Sequence, residues 1–330
     1  MAAWLYANAG LHDAQIGAQL AGGNANVTRL VTAREGRFVL RHPPVNAISD
    51  NAAAGISREF AAISALAGHA PVPRPVAYCS DTGILGQPFA LAEFVDGISI
   101  TDTFPDGYGP DAAREIGRSL METLGAIHRV DTDLLSAQDF GRPDGFLRRQ
   151  IERWLRVRAG NAVRDLPLLA EIGEWLLSSL PQQGKPAIIH CDFHLDNCLS
   201  SRDRPEIRAV IDWEMATLGD PLVDLGLCLF FWKRDPASQL GFSFVQTVSN
   251  CSEAPNRTEL ADIWSEASGR DHAGLEWYIV FAAWRLAAIV EGAWELCVEG
   301  KLSSDYARGL EYDVPNLLRE AAALVEGTSR

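Results

Sequence analysis

Two apolar runs rich in β-branched residues each end abruptly in an acid: Ala187-Ile188-Ile189-His190-Cys191-Asp192 and Ala209-Val210-Ile211-Asp212. Runs of this kind read as buried strands, so Asp192 and Asp212 are expected at rigid edges of the core, where a carboxylate can accept a proton or hold a metal ion. Asn197 follows Asp192 by five residues and adds a neutral oxygen donor to the same loop. His190, His194 and Asp196 crowd this interval, and H-x-D-x-H-x-D also supplies the ligand types of a metal-dependent hydrolase. That second chemistry needs histidines from later strands, yet His272 alone follows His194, in a polar turn.

Periodicity indicates what positions these residues. A turn cluster at 21–26 precedes two strands, 27–33 and 37–41, that form a hairpin across Arg34-Glu35-Gly36. Gly22, Gly23 and Asn24 in that cluster can lay backbone amides against a phosphate, or simply connect strands. A helix over 57–66 carries Glu59, and strands are expected at 76–79 and 88–95 beyond the Pro-rich link at 70–75. From Asp111 the pattern turns helical, with Ala113, Ile116, Leu120, Leu124 and Ile127 on one stripe. Further helices are expected at 145–158, 168–180, 260–268, 275–298 and 303–325, and one starts at Asp220-Pro221 with Asp220 as its N-cap. The change from strand to helix periodicity predicts two lobes, 1–97 and 98–330.

With 330 residues and 47% hydrophobic content, the chain can bury a core of bilobal size. A net charge of −14 argues against a nucleic-acid surface. The densest basic cluster, Arg148, Arg149, Arg153, Arg156 and Arg158, reads as a solvated helix face or a site for an acidic ligand. Six cysteines without a CxxC pair read as reduced thiols of a cytoplasmic protein. Residues 1–10 lack signal-peptide character, and the apolar stretch 277–298 is interrupted by Arg285, Glu291 and Glu295, so no membrane partner is expected.

An Asp, an Asn five residues later and a second Asp at the next strand's exit form the layout of a phosphotransferase catalytic loop. The stretch resembles the aminoglycoside-phosphotransferase group of the kinase-like fold, whose loop reads H-G-D-x-H-x-x-N. The resemblance implies an α+β, bilobal protein-kinase-like fold, with a small, mainly antiparallel β N-lobe and a larger helical C-lobe. It implies that Asp192 takes the proton of the acceptor hydroxyl while Asn197 and Asp212 hold Mg2+ on the phosphates of ATP. A strand cation braced by a helix acid would grip those phosphates. No lysine precedes Lys185, so Arg41, positioned by Glu59, takes that part. The hinge falls at 93–97, where main-chain groups near Glu93 and Val95 would meet the adenine and Gly97 lets the chain turn. His190, Asp220 and Asp224 would support the loop, and His194 and Glu214 would face the acceptor. Cys191 stands where the family has Gly, which raises the question of the local backbone turn.

The run Asp212-Trp213-Glu214-Met215-Ala216-Thr217-Leu218-Gly219-Asp220-Pro221-Leu222-Val223-Asp224-Leu225-Gly226 is similar to a signature of phosphotransferase domains fused to, or encoded beside, certain acyl-CoA dehydrogenases. Phe38-Val39-Leu40-Arg41 with Pro43-Pro44, Arg58-Glu59-Phe60, Val72-Pro73-Arg74-Pro75, Phe140-Gly141-Arg142-Pro143 and Arg149-Gln150-Ile151-Glu152-Arg153-Trp154 agree with it. That subgroup carries Arg at the position of Arg41. It implies ATP-dependent phosphorylation of a hydroxyl on a small molecule, with hydroxyacyl-CoA species as candidate acceptors and a functional link to an acyl-CoA dehydrogenase. The alternatives are an aminoglycoside or other antibiotic O-phosphotransferase, and a nucleotide-binding module without catalysis.

Overall fold

The computed structural model describes residues 1–20, 26–44, 52–135, 140–160, 163–234 and 246–328. Helix α1 (Ala2–Ala9) leads into β1 (Gln15–Gln19), β2 (Val27–Ala33), β3 (Gly36–His42), helix α2 (Ala52–Leu66), β4 (Pro75–Cys79), the single turn α3 (Thr82–Leu85) and β5 (Phe89–Glu93). These strands form one antiparallel sheet in the order β1-β2-β3-β5-β4, which makes β3 its central strand. Arg41 lies opposite Thr28 on one side and Ala90 on the other, so its backbone is fixed by two ladders. The alternation of β3 sends Phe38 and Leu40 into a small core with Leu5, Val31, Phe89 and Leu91.

Helices α4 (Ala112–Arg129), α5 (Phe146–Gly160), α6 (Pro167–Ser178), α7 (Leu222–Phe231), α8 (Arg257–Ser268), α9 (Leu275–Val298) and α10 (Asp305–Thr328) make up most of the remainder. Two short antiparallel pairs lie among them, β6 (Ala187–Ile189) with β9 (Thr217–Gly219) and β7 (Cys198–Ser200) with β8 (Ile207–Val210). The larger apolar core runs through these helices and also takes Ala62, Ile63 and Leu66 of α2. Both acid-ended runs are therefore strands, as their composition predicts, each paired in its own short ribbon.

Helix α9 is buried on nearly every side, which fits its run of Trp277, Tyr278, Phe281 and Trp284. It can lie against α7 because Gly226 has no side chain: a Cβ there would come within 2.8 Å of the Tyr278 backbone. At Gly97 a Cβ would come within 3.0 Å of the Ser200 carbonyl, and next to it Ile98 bridges to Ser200, which ties the end of the sheet segment to β7.

The observed elements differ from the expected ones by a few residues at their ends, some longer and some, like β5, shorter. Helix α2 begins at Ala52 because an alanine run precedes the apolar face, and α7 is assigned from Leu222, although Asp220 Oδ1 accepts the Leu222 amide at 3.0 Å as an N-cap does. Helix α1 has no counterpart in the sequence expectations; it closes on Gly10 in a left-handed C-cap and buries Leu5.

Candidate active site

The loop between β6 and β7 is held from below. Asp224, wholly buried on α7, accepts the backbone amides of His190 and Cys191, each at 2.7 Å. The His190 ring is also buried: its Nδ1 accepts the Asp192 amide at 3.2 Å, so Nε2 carries the proton donated to the Ile211 carbonyl at 2.9 Å. That bond joins the two acid-ended strands. On the opposite side Arg285 of α9 donates Nη1 to the Cys191 carbonyl at 2.9 Å. The Cys191 backbone has φ +67°, so the loop makes the left-handed turn that Gly would make freely, with Asp224 and Arg285 fixing both ends of the strained residue. Burial pushes the Cys191 thiol up to about 12 and keeps it out of the chemistry.

Asn197 fixes the Asp192 carboxylate: its Nδ2 donates to the Asp192 carbonyl at 2.9 Å and to Oδ2 at 3.0 Å. With the amide nitrogen spent, the amide oxygen is the atom that can meet a cation. His194 lies within the same loop, its Nδ1 3.0 Å from Asp196 Oδ2 and its Nε2 3.6 Å from Asp192 Oδ1. Burial alone would raise the Asp192 carboxyl, but His194, His190 and the Asn197 amide outweigh it and hold the group below the ordinary carboxylate range. Burial would lower His194, but Asp192 and Asp196 outweigh it and push it up to about 10. At neutral pH an imidazolium thus sits beside a carboxylate. Asn197 Nδ2 also comes within 3.2 Å of His194 Nε2; with the ring charged this is not a hydrogen bond, and Asp192 remains the partner of the amide. Asp192 keeps 43% of its side chain open, against 16% for His194 and 12% for Asp196, so Asp192 is the member of this group that a substrate can reach.

Facing the loop, Arg41 reaches two acids at once: Nη1 donates to Glu59 Oε1 at 2.6 Å and Nη2 to Asp212 Oδ1 at 2.8 Å. The sequence reading foresees the first bond and not the second. Asp212 has φ +69°, a left-handed turn that starts the 3-10 turn Trp213–Met215 and presents both Asp212 and Glu214 to the sheet. Glu214 Oε2 accepts Asn26 Nδ2 at 2.6 Å, and its carbonyl accepts Arg58 Nη1 at 3.3 Å. Three acids therefore surround one guanidinium. Burial raises Glu59 to about 7; Arg41 opposes the rise, and Asp212 and Glu214 add to it. Glu59 Oε2 and Asn26 Oδ1 are buried and have no hydrogen-bond partner among the described residues.

The remaining expected residues fall in different places. Asp220 accepts Tyr278 Oη at 2.8 Å and the Leu222 amide, so it ties α7 to α9 and bonds nothing in the loop. The Glu93 amide donates to the Arg74 carbonyl, and its side chain pairs with Arg74 at the surface, so a ligand can meet the Glu93 backbone only through its carbonyl oxygen. Val95 follows the end of β5 in a segment without regular secondary structure. Gly22, Gly23 and Asn24 lie outside the described residues. Arg285 is a contributor that sequence reasoning passed over, and the pairing of His194 with Asp196 is one it did not foresee.

Among the described residues no three His, Cys, Asp or Glu side chains are grouped as a metal site. Asn197 and Asp212 supply hard oxygen atoms, and the excess of acids around Arg41 favours added positive charge. Such a set suits Mg2+, which takes one or two protein oxygens and completes its shell from phosphates and water. Among the described residues no helix is long and apolar enough to cross a membrane.

Residues 17–278 match the model of the phosphotransferase enzyme family. Human acyl-CoA dehydrogenase family member 11 is 30% identical over 295 residues, covering 87% of this chain and 37% of that protein. The chain spans about a third of the length of the curated relatives it matches. A Ralstonia eutropha protein provisionally named an aminoglycoside phosphotransferase superposes with a TM-score of 0.83 at 26% identity, covering 97% of this chain and 96% of that one. The GDP complex of an aminoglycoside 2'-phosphotransferase gives a TM-score of 0.62 at 19% identity, covering 97% of both chains, a likeness of fold. The architecture is thus the bilobal, kinase-like α+β fold.

Proposed function

The chain belongs to the phosphotransferase enzyme family, and from that premise we propose that it transfers the γ-phosphoryl group of ATP to a hydroxyl of a small molecule, with Mg2+. The observation that carries this reading is the double hydrogen bond from Asn197 Nδ2 to Asp192, which holds an open carboxylate beside an amide oxygen aimed elsewhere. In this reading Asp192 orients the acceptor hydroxyl and takes its proton as the bond from that oxygen to phosphorus forms and the bond to the departing ADP breaks. The Asn197 amide oxygen and the Asp212 carboxylate hold the metal, which when bound neutralises charge on the phosphate oxygens. Arg41, steadied by Glu59, turns part of its guanidinium to the same phosphates. His194 keeps Asp192 ionised, so Asp192 acts chiefly by orienting the hydroxyl and receives the proton late.

We place the nucleotide between a lobe of residues 1–97 and a lobe of residues 98–330, with its base against the Glu93 carbonyl and the Val95 amide. The six free thiols support a reducing, cytoplasmic setting. Relatives named acyl-CoA dehydrogenases support a hydroxyacyl-CoA as acceptor and a functional link to such a dehydrogenase.

The test is ADP release from ATP and Mg2+ across a panel of hydroxyacyl-CoA thioesters and aminoglycosides. Release dependent on a hydroxyacyl-CoA is expected. Efficient release with an aminoglycoside would move the assignment to an antibiotic acceptor, and nucleotide binding without release under any acceptor would reduce the chain to a binding module.

A further inference from the structure

The chain carries a net charge of −14, yet it gathers cations at one place away from the catalytic loop. A cleft of about 500 Å³ is lined by Lys233, Asn256, Arg257, Thr258 and Glu320. It lies where the C-terminus of α7 meets the N-terminus of α8 and a face of α10. Arg234 stands beside it in an ion pair with Glu320. Among the described residues that line the cleft, Glu320 is the carboxylate. The nearby Glu253 is turned to the Ser252 hydroxyl at 2.7 Å, and Glu259 is engaged in the α8 capping box with Asn256.

The donors are only partly used by the protein. Lys233 Nζ reaches the Ala254 carbonyl at 2.9 Å; Arg257 gives Nε to the Trp232 carbonyl at 3.1 Å and Nη2 to the Phe230 carbonyl at 3.3 Å. An ammonium has three donors and a guanidinium five, so both keep N–H groups beyond those carbonyls. Burial depresses Arg257, with Glu320 opposing and Arg234 adding to the effect, which is the cost of crowding like charges. An anion in the cleft would offset that cost, and the first turn of α8 adds its own partial positive charge. Helix α7 links the cleft to the Asp192 loop: Phe231, two residues before Lys233, packs edge-on against His194 with ring centroids 5.2 Å apart.

We propose that this cleft binds a phosphate-type dianion, supplied either by the phosphorylated tail of the acceptor or by free phosphate. The proposal stands on the cleft's own charge and donors and does not require the reading of Asp192.

The first arm of the test titrates inorganic phosphate into the full chain by calorimetry, beside three variants. Lys233→Asn removes a cation at a residue with φ +49°, a conformation that Asn tolerates well. Thr258→Glu places an acid in the first turn of α8, which the helix favours and a bound dianion does not. Arg41→Met removes the cation expected to hold nucleotide phosphates. Lys233→Asn and Thr258→Glu are each expected to keep the thermal midpoint and weaken phosphate by about tenfold or more, while Arg41→Met leaves it unchanged. Wild-type protein that does not saturate, the two cleft variants binding as tightly as wild type, or loss confined to Arg41→Met would each overturn the proposal. The second arm compares KM for a hydroxyacyl-CoA with KM for the same hydroxyacyl group on N-acetylcysteamine. If the tail occupies the cleft, Lys233→Asn raises only the first; if free phosphate does, it raises neither.

Discussion

The buried carboxylate of Asp224 accepts the backbone amide of Cys191 at 2.7 Å, so a residue in the first turn of α7 dictates the backbone of the loop that carries Asp192. The other oxygen serves the His190 amide. Asp224→Asn replaces one acceptor by a donor facing an N–H group. It should cost about 2–3 kcal/mol, the scale of a buried hydrogen bond to a charged group, and lower turnover through the displaced loop. Calorimetry and steady-state ADP release check both effects; a thermal midpoint equal to wild type would show that the loop does not depend on this bond.

Cys191→Gly exchanges one cost for another. Relief of the left-handed backbone is worth about 1–2 kcal/mol, while Gly loses about 0.5–1 kcal/mol of chain entropy and a small buried side chain goes with it. Stability should therefore stay within about 1 kcal/mol of wild type and activity should persist. Cys191→Val, β-branched at φ +67°, should lose more than about 2 kcal/mol. Thermal melts of the pair provide the check, and the reverse order would mean that the loop relaxes away from the left-handed turn.

Arg41→Lys keeps the charge and loses the fork. One ammonium cannot reproduce the two bonds to Glu59 Oε1 and Asp212 Oδ1, which leave from separate nitrogens. Nucleotide affinity should fall by about tenfold, measured by ADP titration, with the fold intact.

Glu59 gives the site a pH signature. Its folded pKa of about 7 exceeds the ordinary value of 4.5, so between those values the folded chain binds more protons than the unfolded chain. The stability associated with this group is full below 4.5 and is lost as pH rises through 7. Glu59→Gln, which cannot ionise, should therefore flatten the fall in thermal midpoint between pH 5 and 8 that wild type shows, roughly the window set by the shift. A melt series in matched ionic strength decides it, and identical slopes would contradict the burial argument.

The parts legible in the sequence were those with local causes. Ile188 and Ile189 before His190, and Val210 and Ile211 before Asp212, announce strands that end in acids; the stripe through Ile116, Leu120 and Leu124 announces α4. Asp192 and Asn197 are five residues apart, so their pairing is nearly a local fact. Contacts that depend on long-range packing left no such mark. Arg285 reads as an interruption of an apolar helix, and only the approach of α9 to α7 at Gly226 turns it toward the Cys191 carbonyl. The Arg41–Asp212 bond joins residues far apart in the chain, and its geometry depends on a positive φ at Asp212 that no residue type announces. The pairing of His194 with Asp196 also left no mark, because it depends on Asp196 being buried and turned inward.

The central claim is that Asp192 receives the acceptor hydroxyl. The most direct measurement is acceptor-dependent ADP release by Asp192→Asn beside wild type, with ADP binding measured on the same samples. Turnover should be lower by about a hundredfold or more with ADP affinity unchanged, the usual scale for a lost proton acceptor. Wild-type turnover in the variant would contradict the claim.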